Sequence, residues 1–253
     1  MHAEITQVLL LVAGLGLGFA NALASSGSAL SLPILLALGL GPELANGTNR
    51  VAVLVGALAA VSSFARARLI QWRIVIPLMA SAAVGALIGV RISEVLSPSS
   101  MHLAIVAAEC VALVLLVIRP SRWVNATGDN PHAGPLQLVL VFVIGIWTGF
   151  IVLDGGTYLL LLLVFSVGFN VLGANAAKSA IMATIAAVTL PVLAFGNHID
   201  WGAAGVMSVG SLAGGLLAAR VAMIPGAAQW VYRLIVAILV GELAHLAFGG
   251  LRP

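Results

Sequence analysis

Residues 5–40 read ITQVLLLVAGLGLGFANALASSGSALSLPILLALGL. An apolar run over 5–23 meets the small polar stretch Ala24-Ser25-Ser26-Gly27-Ser28, and a second run of a dozen residues, 29–40, follows. A helix needs about 20 apolar residues to cross a bilayer. The first run is long enough, and the second is too short to cross straight, so it reads as a half-helix or a re-entrant arm. Runs of this kind recur as far as Phe248. Ten segments are predicted: 5–23, 29–40, 44–65, 73–92, 101–118, 136–153, 157–169, 174–196, 202–223 and 229–248. The second and seventh are the short ones, which gives eight to ten spans in an all-α polytopic membrane protein.

Composition agrees. Only 8% of the 253 residues are charged and 62% are hydrophobic, against about 25% charged in a soluble domain. So few charges cannot coat a water-facing surface, which excludes a soluble enzyme with one anchor. The net charge is +3, and the arginines lie near ends of apolar runs, as topology signals do; no nucleic-acid role is indicated. The one cysteine, Cys110, allows no internal disulfide and no cysteine-based metal cluster. Met1-His2-Ala3-Glu4 lacks the basic start of a signal peptide, so the first run is read as retained.

The longest polar stretch, Arg119 to Gln137, carries Pro120, Gly128, Pro131, Gly134 and Pro135 and divides the chain near its middle. It separates a repeat over 1–118 from a repeat over 137–253, with a linker over 119–136. A shift of 129 residues lays Gly27 on Gly156, Gly39 on Gly168, Ala45 on Ala174, Asn46 on Asn175, Trp72 on Trp201, Gly85 on Gly214 and Arg91 on Arg220. Asn, Trp and Arg are rare here, so their coincidence at one shift is the stronger signal. Upstream, Gly14, Gly18 and Phe19 match Gly145, Gly149 and Phe150 at a shift of 131. Each half has five segments, an odd number, so the halves insert with opposite orientation, an architecture common among secondary transporters.

If the loop with Arg66, Arg68 and Arg73 is cytoplasmic, then the linker with Arg119 and Arg122, the loop before Lys178 and those near Arg220 and Arg233 are cytoplasmic too. The loop Asn197-His198-Ile199-Asp200, which has no Lys or Arg, and both termini then fall outside.

The matched breaks are the candidate site. Ser25, Ser26, Gly27 and Ser28 precede one short segment; Asp154, Gly155, Gly156 and Thr157 precede the other. A helix N-terminus offers unpaired N–H groups and partial positive charge, and small residues let an anion come close. Gly and Ser also serve membrane helix packing. A second pair of motifs opens the following long segments: Asn46, Thr48, Asn49 and Arg50 in one half, Asn175 and Lys178 in the other. Lys178 aligns with Asn49, and Arg50 with Ser179, so each half supplies one cation at adjacent positions. Interfacial snorkelling is the alternative for both cations. Asp154 has no acidic mate in the first half; it either pairs with Lys178 or binds a coupling proton or Na⁺. Glu109 and Glu242 are further coupling candidates, and Glu242 shares a helix face with His245. No metal site is predicted, because about three protein ligands are needed and no cluster supplies them.

An intramembrane serine protease would need a Ser and a His brought together, and no His among His102, His198 and His245 has a spacing that selects it. No Gly-x-x-x-x-Gly-Lys-Ser/Thr loop occurs. The chain therefore reads as neither an enzyme nor an ATP-driven pump, and no cofactor is implied.

On these residues the sequence resembles the sulfite exporter TauE/SafE family of membrane permeases. The resemblance rests on the break Ser25 to Ser28, the short segment with Pro33, the motif Ala45-Asn46-Gly47-Thr48-Asn49, the loop with Arg66, Arg68 and Gln71-Trp72, and Gly85 and Gly89. The second half repeats it with Asp200-Trp201, Gly210, Gly214 and Arg220. The family break is usually richer in glycine, a small residue is more usual at Asp154, and Ala176-Ala177-Lys178 departs from the common Gly/Ala-Thr-Ser pattern. The resemblance implies an inner-membrane permease for sulfite or an organosulfonate; alternating access around a midplane site is the mechanism expected. An anion channel of the same architecture is the alternative, and a homodimer is compatible with either.

Overall fold

The structure is a computed structural model that describes residues 2–25, 27–93, 130–151 and 155–224, with single positions beyond at 226, 227, 229, 233, 237 and 240. Every regular element among them is helical: α1 (His2–Leu23), α2 (Gly27–Ala37), α3 (Pro42–Arg66), α4 (Trp72–Ser93), α5 (Pro135–Phe150), α6 (Gly155–Leu162), which continues as a π-helical turn (Leu163–Val167), α7 (Val171–Phe195) and α8 (Trp201–Ala222). These are eight of the ten segments expected. The segment at 101–118 and all but single positions of 229–248 lie outside the described residues, as do Ser26, Asp154, Glu109, Glu242 and residues 119–129 of the linker. Helices α1, α3, α4, α7 and α8 are long and apolar enough to cross a membrane.

Local chemistry sets the helix ends. Gly41 hands over to Pro42 at the first position of α3, where a missing N–H costs nothing. Asn170 and Asp200 cap α7 and α8, their side-chain oxygens accepting from Gly173 N (2.8 Å) and Ala203 N (3.0 Å). The two short helices close alike: Gly39 and Gly168, equivalent at the 129-residue shift, adopt left-handed φ of 91° and 92°, a conformation natural to glycine.

The long helices pack through small residues, as expected where lipid removes the hydrophobic drive between helices. Gly14 and Gly18 of α1 lie against the main chain of Met207 and Ser211 in α8; Gly210 and Gly214 lie against Leu11 and Leu15 in return. Between α4 and α5, Gly85 and Gly89 meet Phe142 and Ile146, and Gly145 and Gly149 meet Ala82 and Ala86. Both pairs run parallel, because the numbers rise together along each contact. Gly18 meets the main chain of Ser211 as Gly145 meets that of Ala82.

Helix α3 joins these pairs. Its Ala52 oxygen accepts from Ser211 Oγ (2.7 Å), its Gly56 lies against Ser211 and Gly215, and its Thr48 Oγ1 accepts from Asp200 N (2.9 Å). Helices α3 and α8 thus run parallel, and α7, which enters that loop from the other side, runs antiparallel to α3. Leu9, Val12, Ile76, Val84, Val209 and Leu212 are exposed and form an apolar exterior suited to lipid. Trp72 and Trp201, at the starts of α4 and α8, are exposed as well.

Candidate functional site

The two breaks meet. Helix α1 ends at Leu23, and Ser25 takes a left-handed φ of 74°, uncommon for a residue with a side chain. The Ala20 oxygen accepts from both Ala24 N (2.7 Å) and Ser25 N (2.8 Å). Helix α2 then turns back along α1, starting with Gly27, whose N–H donates to Asn21 Oδ1 (2.8 Å). Gly156, in the first turn of α6, abuts Ser25, and Gly155 abuts the Thr148 side chain. The segment 157–169, expected as one apolar run, is thus a helix that begins inside the protein, as does α2.

Lys178 reaches into this junction. It is 1% exposed and has four oxygens within hydrogen-bond distance of its ammonium: Asn21 O (2.7 Å), Ala22 O (3.2 Å), Ser25 Oγ (2.9 Å) and Asn175 Oδ1 (2.8 Å). Asn21 and Ala22 form the last turn of α1, whose carbonyls have no intrahelical partner and carry partial negative charge. The ammonium therefore caps α1 from the other half of the chain. Arg50, also 1% exposed, does the same for α5: it donates to Thr148 O (3.1 Å) and to Thr189 Oγ1 on α7 (2.9 Å). Neither cation snorkels to an interface.

The expectation of one site with two adjacent cations is refined. Arg50 lies about 12 Å along α3 and Lys178 about 10 Å along α7, and those helices run in opposite directions, so the two side chains approach the junction from opposite ends. Lys178, and not Arg50, lines a cavity of about 20 Å³, room for about one water molecule. The cavity is lined by Asn21, Ser25, Gly156, Lys178, Ser179 and Met182 together with Ala22, Val53 and Ala57. Ser25, Gly156 and Lys178 were expected there; Asn21 and Ser179 were not.

The other candidates fall in three places. Asn49 joins the arm α2 to α3, donating to Ser28 Oγ (3.0 Å) and accepting from Ser31 Oγ (2.6 Å). Thr48 holds the α8 cap, beside which His198 Nδ1 lies 3.4 Å from Glu43 Oε2. Asn46 is half-buried, and its Oδ1 has no partner among the described residues. Thr157 is buried next to Gly156. The Nδ2 atoms of Asn21 and Asn175 are buried without partners among the described residues, and their orientation is set by the donors facing each Oδ1.

A helical chain with long apolar spans and two broken helices meeting at a buried lysine is a polytopic membrane protein with a polar centre between its halves. The chain belongs to the sulfite exporter TauE/SafE family, whose description it matches over residues 10–244. It is 27% identical over 223 residues to a "Probable membrane transporter protein" of Haemophilus influenzae, covering 86% of each chain. It is 26% identical over 221 residues to "Probable membrane transporter protein ORF9" of Sinorhizobium sp, covering 86% of this chain and 84% of that one. It is also 25% identical over 220 residues to "Probable membrane transporter protein YfcA" of Escherichia coli K12, covering 87% and 81%. No solved structure matches the chain at a significant level.

Proposed function

We propose that the chain is a secondary transporter of a small anion, sulfite or an organosulfonate, built from two inverted repeats. The observation that carries this reading is the meeting of both broken helices, at Ser25 and Gly156, beside the buried Lys178. Anion recognition at such a point draws on the lysine charge, the unpaired Nδ2 donors of Asn21 and Asn175, and the first-turn N–H groups of α6. Helix directions support the inversion: α1, α3 and α8 run one way and α4, α5 and α7 the other, so matched helices oppose each other. The matched Trp72 and Trp201 accordingly stand at opposite ends, where interfacial tryptophans belong.

Alternating access belongs to the same proposal. The cavity beside Lys178 has no room for an anion of several heavy atoms, so loading requires the helices around it to separate. Arg66, Arg68, Arg73 and Arg220 are exposed at the end of the bundle opposite the Asn197–Asp200 loop; the basic end is the cytoplasmic one, which leaves the N-terminus outside an inner-membrane protein.

The test is reconstitution. Proteoliposomes loaded with sulfite, sulfoacetate, taurine or a simple carboxylate should show saturable exchange of the sulfur oxyanions and not of the carboxylate. Linear conductive flux without counterflow would favour a channel, and no flux or binding of any of them would end the transporter reading.

A further inference from the structure

Among the described residues, Lys178 Nζ has four oxygens within 3.2 Å: two main-chain carbonyls ending α1, one hydroxyl and one side-chain amide. An ammonium has three protons, so the cage offers more acceptors than the side chain can use as donors. All four oxygens are neutral, the ligand type that coordinates monovalent ions, and unwound helix C-terminal ends supply such ligands in transporters. Asn175 adds an independent sign. It is 1% exposed, yet it turns Oδ1 to the ammonium and leaves Nδ2 without a partner among the described residues. Its amide is held as an oxygen ligand at the expense of its own donors.

We propose that this cage is a monovalent-cation site that the chain fills with its own tethered ammonium. Lys178 takes the place of a diffusible cation at the end of α1, and the protein needs no sodium to hold its two halves together there. Lys178→Ala shortens the side chain to a methyl group and leaves space within the oxygen cage; Lys178→Met keeps the length, fills the space and supplies no charge. The proposal does not depend on which anion is carried.

The experiment is thermal unfolding of purified protein at constant ionic strength, with choline chloride replaced stepwise by sodium, potassium, ammonium or methylammonium chloride. Wild type should melt at the same temperature in all five salts. Lys178→Ala should melt lower in choline and recover by several degrees, saturably, in at least one small cation, ammonium and methylammonium foremost, as a ligand bound only by the folded state requires. Lys178→Met should show no selective recovery, and Ser25→Ala added to Lys178→Ala should weaken it. If Lys178→Ala is not recovered folded in choline, purification in methylammonium decides: folded protein there supports the site, and failure in both overturns it. Equal response of Lys178→Ala to all five salts, or equal response of wild type and variant, also overturns it. Sulfite binding to wild type, measured separately, reports on the anion reading alone.

Discussion

Lys178 Nζ lies 2.7 Å from the main-chain oxygen of Asn21, 157 positions earlier in the chain. Arg50 mirrors it, reaching Thr148 O 98 positions later. Lys178 thus closes the end of α1, and Arg50 the end of α5. Of the two cations, only Lys178 lines the cavity of about 20 Å³.

That difference is measurable. In a thermal-shift titration with sulfite, Arg50→Lys should keep an anion-dependent rise in melting temperature, since the charge stays in place although the span between Thr189 and Thr148 is lost. Lys178→Met should abolish the rise. Loss in both variants would mean that the two cations share one site after all.

Ser25 holds a left-handed conformation that costs a residue with a Cβ about 1–2 kcal/mol. Ser25→Gly removes that cost and the hydroxyl together, whereas Ser25→Ala removes only the hydroxyl. The glycine variant should be the more stable of the two by about 1 kcal/mol, read from chemical or thermal unfolding in detergent.

Asn49→Leu should destabilise the protein by about 2 kcal/mol, because Ser28 and Ser31 lose a buried partner. Limited proteolysis should then find the arm α2 more accessible than in wild type. An unchanged unfolding curve would show that the arm is held by other contacts.

Gly18 and Gly145 occupy equivalent packing positions against the main chain of Ser211 and Ala82. Gly18→Val should push α1 away from α8, and Gly145→Val should push α5 away from α4. Each should cut the yield of monodisperse protein severalfold on size-exclusion chromatography. Gly205→Val, where a Cβ meets nothing nearby, should behave as wild type.

Thr48 Oγ1 accepts from Asp200 N across the α3–α8 contact. A Thr48→Cys, Asp200→Cys pair should crosslink under mild oxidation in membranes. A cysteine at Asn197 should react with an impermeant thiol reagent added outside intact cells, and one at Arg68 should not. The reverse pattern would invert the orientation.

Most of the helical plan was legible in the sequence because lipid imposes it: run length, the paired glycines Gly39 and Gly168 and the paired tryptophans each follow from a single local constraint. The breaks were legible too, since Ser25 and Gly156 stand out against long apolar runs. Asn21, Thr148 and Thr189 were missed as partners of the cations. Two of them act through main-chain oxygens, which every residue type possesses and which no composition pattern marks. Arg50 and Lys178 hold different helix ends, Thr148 O and Asn21 O, which a sequence shift alone does not reveal.

The crossed capping of helix ends bears on how the chain is made. While the ribosome has delivered only the first 118 residues, the end of α1 lacks its lysine and Arg50 has no carbonyl of α5 to meet. A nascent first half would expose a bare charge and open peptide groups to hydrocarbon, a costly combination. Biogenesis is thereby obliged to wait: the early helices have to stay with the insertion machinery, or with water, until their counterparts emerge.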